Sequence, residues 1–233
     1  MDNARLKAYT ILNRIEKDGA YSNLLLKEYF KSEQDAREAA FVRALVSGTL
    51  ERLYTLDYFL SLCLREPLKK LKPQVLSVLR LGAYQILFME KVPVSAAVNE
   101  SVNLAKRAGC GFASGLVNAC LRGVARNGLA WPEKGENASE YYKIRYSYPQ
   151  ELADLLSDTY GGENAVGIME NSLGRQPLYG RVNTLKCDAE ELRGVMGESF
   201  IPIEGGFPEG AFELGAAEFA VPLEKIAEKL MSF

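Results

Sequence analysis

Histidine is absent from all 233 residues, and the four cysteines, Cys63, Cys110, Cys120 and Cys187, are scattered with no Cys-x-x-Cys pair. The first absence removes imidazole acid-base chemistry and imidazole metal ligation, and with them most hydrolase and metalloenzyme chemistries. The second leaves neither a disulfide framework nor a zinc site and fits reduced thiols. No apolar run approaches the ~20 residues that span a bilayer, and the start Met1-Asp2-Asn3-Ala4-Arg5 lacks the basic-then-apolar profile of a signal peptide. A cytoplasmic location without a membrane partner is therefore expected. Without histidine, a nucleophile would have to be a cysteine or serine activated by lysine or a carboxylate. Cys63 and Cys120 lie on apolar helical stripes, which suits inert core thiols, and Cys187 lacks a proline- or glycine-rich setting. No catalytic residue and no metal ligand is assigned.

What is present is the composition of an ordinary globular protein, 48% hydrophobic and 25% charged. The length suits two modules, and charge divides them. Up to Gly128 there are 19 basic and 12 acidic side chains, and beyond it 9 and 18; net charges of +7 and −9 give the chain's −2. A basic first module is the one suited to a polyanionic partner.

Hydrophobic spacing predicts helices throughout that module. Ala4, Ala8, Ile11, Leu12 and Ile15 make one stripe over residues 2–17, with Asp2 at its start and Gly19 at its end. Ser22 opens a second helix through Phe30, Asp35-x-x-Glu38 a third, and Thr55 a fourth. Pro73 opens a long apolar helix to Met89, expected to be the central one, and Pro93 follows it. Ser95 caps a helix through Ala108, and the last runs from about Phe112 to Asn127. Residues 129–143 show no period and are expected to be a linker or loosely packed crossover. Residues 144–233 then change character. Short helices follow Pro149 and start at Glu163, Leu178 to Asn183 reads as a strand, and Asp188-x-x-Glu191 caps a helix. Strands are expected at Phe200 to Glu204 and Ala211 to Leu214, around Gly205-Gly206 and Pro208. The fold class expected is mainly α: an all-helical bundle over 1–128, the linker, and a small α+β segment over 144–233.

Gly109-Cys110-Gly111-Phe112-Ala113-Ser114-Gly115 has the glycine content of a nucleotide loop but follows a helix, and its third glycine is one position late. It is expected to be a turn between helices. On the helix after it, Ser114, Asn118, Arg122 and Arg126 recur every four residues on one polar face. Lys106 and Arg107 lie a short turn before it. Arginine pairs bidentately with phosphate and stacks on bases, so such a line suits RNA; the alternative is a solvated face whose cations sit well at the C-terminal end of the helix dipole. Lys69-Lys70-Leu71-Lys72 forms a second basic cluster, and Arg5 and Lys7 add charge on the first helix. These clusters lack the interleaved aromatics of a single-strand stacking platform.

The ordered motifs are more specific. Gly19-Ala20-Tyr21-Ser22-Asn23, Phe41-Val42-Arg43-Ala44-Leu45-Val46-Ser47-Gly48, Leu79-Arg80-Leu81-Gly82-Ala83-Tyr84-Gln85-Ile86-Leu87, Val92-Pro93-Val94-Ser95-Ala96-Ala97-Val98-Asn99-Glu100-Ser101-Val102 and Gly115-Leu116-Val117-Asn118-Ala119-Cys120-Leu121-Arg122 occur in that order. They resemble the NusB-like RNA-binding domain, and more closely the version at the N-terminus of the Sun (RsmB) family, which methylates cytosine C5 of small-subunit ribosomal RNA. Ile144-Arg145-Tyr146-Ser147-Tyr148-Pro149 and Leu178-Tyr179-Gly180-Arg181-Val182-Asn183-Thr184-Leu185-Lys186 extend the resemblance to the substrate-positioning subdomain of that family. Tyr148 stands where the family commonly has histidine.

The resemblance implies S-adenosylmethionine as cofactor of the full-length enzyme and catalytic cysteines, one in a Pro-Cys motif. This sequence has no Pro-Cys, and Glu218 to Phe233 fits the family poorly. The resemblance therefore implies an N-terminal part, or a truncated product, that does not methylate alone and binds no cofactor itself. Its expected partner is ribosomal RNA, held by Arg5, Lys7, Lys69, Lys70, Lys72, Lys106, Arg107, Asn118, Arg122, Arg126 and Arg181. The alternative it allows is an antitermination module that binds RNA with a ribosomal or transcription-factor protein.

Overall fold

The computed structural model describes residues 2–32, 35–135, 138–174, 177–203 and 210–214. They fall into two compact units that divide after Leu173.

In the first unit, α1 (Asp2–Asp18) buries Ala4, Ala8, Ile11 and Leu12, the stripe that its spacing predicts. It stops where Gly19 takes φ +62°, a region glycine enters without steric cost. After α2 (Ser22–Ser32), α3 (Ala36–Glu51) begins at Asp35, whose carboxylate accepts from the backbone N–H groups of Arg37 and Glu38. The chain continues through Arg52 into α4 (Leu53–Ser61). Thr55 does not open this helix. It lies inside it, fully buried, where its hydroxyl donates to the Ile144 carbonyl at 2.6 Å.

Pro73 stands in the first turn of α5 (Pro73–Phe88), where its missing N–H costs nothing. Val75, Leu76, Val78, Leu79, Leu81 and Ala83 bury most of its circumference, as befits a helix packed by α1, α3, α4, α6 and α7. Close approach is built from glycine. A Cβ on Gly82 would stand 2.5 Å from Leu121 Cδ1 and 2.7 Å from Ser101 Oγ, and one on Gly48 would overlap the Tyr84 ring. α6 (Val94–Arg107) starts directly after Pro93, so Ser95 is within it and supplies no cap. Gly109, at φ +74°, and a single 3₁₀ turn at Gly111–Ala113 then lead into α7 (Ser114–Asn127). The glycine-rich stretch is a helix-to-helix turn.

The stretch read as a linker is fastened. Trp131 meets Phe59 edge-on, with ring centroids 5.3 Å apart, and the Arg145 guanidinium lies 4.4 Å from the Trp131 ring centre. Helix α8 (Ala138–Tyr146) begins inside the expected linker and buries Tyr142 and Tyr146, one turn apart. Its nine residues are too few for a clear period. With α9 (Gln150–Tyr160) and α10 (Gly162–Asn171) it closes a second small core around Ala153, Ala165 and Met169. Ser147, at φ +60°, accepts from the Tyr54 N–H at 3.1 Å and ties the end of α8 to α4.

The second unit holds β1 (Leu178–Arg181), α11 (Ala189–Met196), β2 (Phe200–Pro202) and β3 (Ala211–Leu214) in an antiparallel sheet of order β1-β3-β2. Asp188 and Glu191 form the expected reciprocal cap. Val182, Leu192, Met196, Phe200 and Phe212 make its core. Glu204, Gly205-Gly206, Pro208 and Glu218 to Phe233 lie outside the described residues.

Candidate RNA interface

α7 buries Val117, Cys120, Leu121 and Val124 and turns Arg122 and Arg126 to solvent. The two polar residues on its earlier turns, Ser114 and Asn118, are only half-exposed. Asn118 accepts from Arg122 Nε at 3.1 Å and so steadies the guanidinium on the helix surface. Lys106 and Arg107, in the last turn of α6, are exposed, and the Lys106 Cα lies 3.5 Å from the site a Cβ would take on Gly111.

The segment carrying Lys69, Lys70 and Lys72 is pinned to α7 at both ends. At one end the Cys63 sulfur comes within 3.0 Å of a Cβ position on Gly123 and accepts from Asn127 Nδ2 at 3.7 Å. At the other, Lys72 Nζ lies 4.7 Å from the ring centre of Phe112, just before α7. Lys69 and Lys70 occupy a 3₁₀ turn between these anchors, both exposed, with Glu66 3.8 Å from Lys70. Folding therefore gathers cations from three separate stretches of sequence around one helix. Phe112, with 71% of its surface exposed, is among them. Sequence reading missed it because 40 residues separate it from its lysine.

The cations of α1 are placed differently. Arg5 is 6% exposed, donates from Nε to Gln85 Oε1 at 2.7 Å and lies 5.2 Å from the Phe41 ring centre. It is a core residue and is withdrawn from the candidate interface, because a buried guanidinium cannot reach a partner in solution. Lys7 pairs with Glu38 at 2.8 Å and lies over the Tyr29 ring. Arg181 is exposed on β1 of the second unit, at a cleft of about 860 Å³ that Asn183, Thr184, Leu185, Cys187 and Asp188 also line. The Tyr148 hydroxyl donates to Ser172 Oγ at 2.9 Å.

The thiols of Cys63, Cys110 and Cys120 are not activated. Burial pushes the Cys63 and Cys110 thiols up, against a partial pull from Arg126 on Cys63. Burial, with Cys63 adding to it, pushes Cys120 up to about 12. Among the described residues no three Cys, Asp or Glu side chains gather as metal ligands, and no helix is long and apolar enough to cross a membrane.

A sequence model of the NusB family matches residues 2–126. The chain belongs to the NusB family. The solved NusB of T. maritima superposes with a TM-score of 0.51 at 26% identity, covering 55% of this chain and 91% of that one. The transcription antitermination protein NusB of Halorhodospira halophila is 32% identical over 137 residues, 58% of this chain and 88% of its own. Similarity runs further in the probable ribosomal RNA small subunit methyltransferase B of Bacillus subtilis, 36% identical over 200 residues. That match takes in 85% of this chain and 44% of the relative, so the chain spans about half the length of such proteins. The motif-based assignment to the N-terminal part of the Sun (RsmB) family is thereby supported.

Proposed function

We propose that this chain is the RNA-binding and substrate-positioning region of a 16S ribosomal RNA cytosine-C5 methyltransferase that works in the cytoplasm. The observation that carries this reading is the assembly of Arg122, Arg126, Lys106, Arg107, Lys69, Lys70 and Lys72 around α7, on a NusB-family bundle whose similarity to methyltransferase B proteins continues past it. Exposed guanidinium and ammonium groups on a packed scaffold contact phosphates and fix the position of a bound strand. The α8–α10 core is fastened to α4 through Thr55 and Ser147, and Arg181 is an exposed cation of the second unit.

S-adenosylmethionine is the cofactor expected of the full-length enzyme. The described residues do not fit it, since their glycine-rich turn joins two helices and their sheet is three-stranded and antiparallel. No catalytic step is assigned to them. An antitermination role with a protein partner is the second reading, favoured by the match to most of the H. halophila protein; the fastened α8–α10 extension counts against it.

Titration of a small-subunit ribosomal RNA fragment at several salt concentrations tests the reading. Affinity falls steeply with salt, and Arg122→Ala with Arg126→Ala lowers the slope of log K against log salt by about 1.4 for a single strand, at ~0.7 per phosphate contact. Absence of binding at low salt, or an unchanged slope in the double variant, contradicts it.

A further inference from the structure

The cations around α7 account for attraction to phosphate but not for Phe112. A large apolar side chain with 71% of its surface in water contributes little to the core, and Leu116, one turn on, is 40% exposed. Single exposed apolar residues are ordinary; a pair rimmed by cations is the pattern of a binding patch. Lys72 Nζ, 4.7 Å from the ring centre, comes from a stretch 40 residues earlier, and Lys106 and Arg107 flank the same turn. A Cβ built on Gly111, the residue before Phe112, would stand 3.5 Å from Lys106 Cα, so Lys106 borders the same turn, whereas one on Gly115 meets nothing within 4 Å.

We propose that Phe112 is a stacking site for one unpaired RNA base, with Lys72 holding the ring from one side and pairing with the adjoining phosphate. This rests on the RNA-binding reading above and deepens it. The ring offers an apolar π-face that any base can cover, and an ammonium beside it adds both cation–π attraction and a phosphate contact. Duplex bases are already stacked and unavailable, so the site selects single-stranded loops or ends. Lysine charge alone would bind duplex and single strand through phosphates; the aromatic supplies the discrimination.

The test uses the whole chain with two probes of equal length: a single-stranded RNA carrying 2-aminopurine at one position, and the corresponding RNA duplex. Wild-type protein is expected to change the 2-aminopurine fluorescence on binding. Phe112→Ala is expected to weaken the single strand by about tenfold, with ~5-fold as the smallest loss that stacking of one base predicts. Duplex affinity and the salt slope stay as in wild type, and Phe112→Tyr restores the single-strand affinity. Its exposure makes the variant safe for folding, which circular dichroism checks. An alanine variant that binds the single strand like wild type overturns the stacking site and leaves the cationic interface standing. Equal losses for duplex and single strand also overturn it. Wild-type protein that binds neither probe at low salt overturns both proposals.

Discussion

Arg5 and Arg80 on one side, and Arg122 and Arg126 on the other, are the same residue type in helices of the same bundle, yet the first two serve the core and the second two face water. Arg80 lies between α5 and its neighbours, with Nε and Nη2 each 2.8 Å from an oxygen of Asp57 and Nη1 3.3 Å from Glu16. Burial would lower its pKa, but the hydrogen-bonded Asp57 carboxylate and Glu16 outweigh this and hold it above the usual value. Arg5 is held by Gln85, whose own amide donates to the Leu81 carbonyl. On α7 Arg122 donates from Nε to Asn118 on the helix's own surface, and the guanidinium stays exposed. A cation counted in a sequence is therefore potential charge for a ligand only if no carboxylate or amide of the core has claimed it.

Substitutions sharpen this contrast. Arg80→Ala is expected to have the largest effect on stability, about 3 kcal/mol, since it leaves the Asp57 carboxylate without its bidentate partner in a largely buried place. Arg5→Ala follows at ~1–3 kcal/mol, the cost of leaving the Gln85 carbonyl oxygen unsatisfied inside the bundle. Denaturant unfolding measures both, and an Arg5→Ala protein as stable as wild type would return that residue to the surface. The interior thiols give a further, smaller effect that depends on pH. Cys120 ionises near 9 in the unfolded chain and near 12 in the folded one, so between these values the unfolded chain binds fewer protons. Stability is then full below about pH 9 and declines as pH rises toward 12. A Cys120→Ala protein should show a shallower decline over that range; an identical decline would show that Cys120 is not protected. The smallest change is expected outside the core: Arg122→Ala with Arg126→Ala shifts stability by no more than ~0.5 kcal/mol, while altering RNA binding as described above. A marked loss of stability in that pair would dissolve the distinction between the two sets of cations.

Much of this bundle was legible in its sequence because its signals are local. The stripe Ala4, Ala8, Ile11, Leu12 and Pro73 in the first turn of α5 mark helices through 3.6-residue spacing and proline's fixed geometry, neither of which needs a tertiary partner. Asp35 and Asp188 cap as read, for the same reason. Misreadings fell where a side chain's role is settled by something distant. Thr55 has the composition of a cap and acts as a strut to Ile144, 89 residues away. Trp131, amid charges and a proline, reads as linker and is held between Phe59 and Arg145. In the candidate site, Arg122 and Arg126 could be placed from their four-residue spacing, whereas Arg5 shows the same cationic character and lies in the core.

The sequence by itself determined the helices of residues 1–128, the presence of a small α+β segment after them, the split of charge and the membership in the NusB family, because spacing, capping and ordered motifs act along the chain. Only the tertiary structure decided which cations are available and what stands beside them. It buried Arg5 against Gln85, and it brought Lys72 onto Phe112 across 40 residues. The reason is physical: a helix fixes which residues share its face, but burial and ion pairing depend on what packs against that face, and this is set by elements far away in the chain.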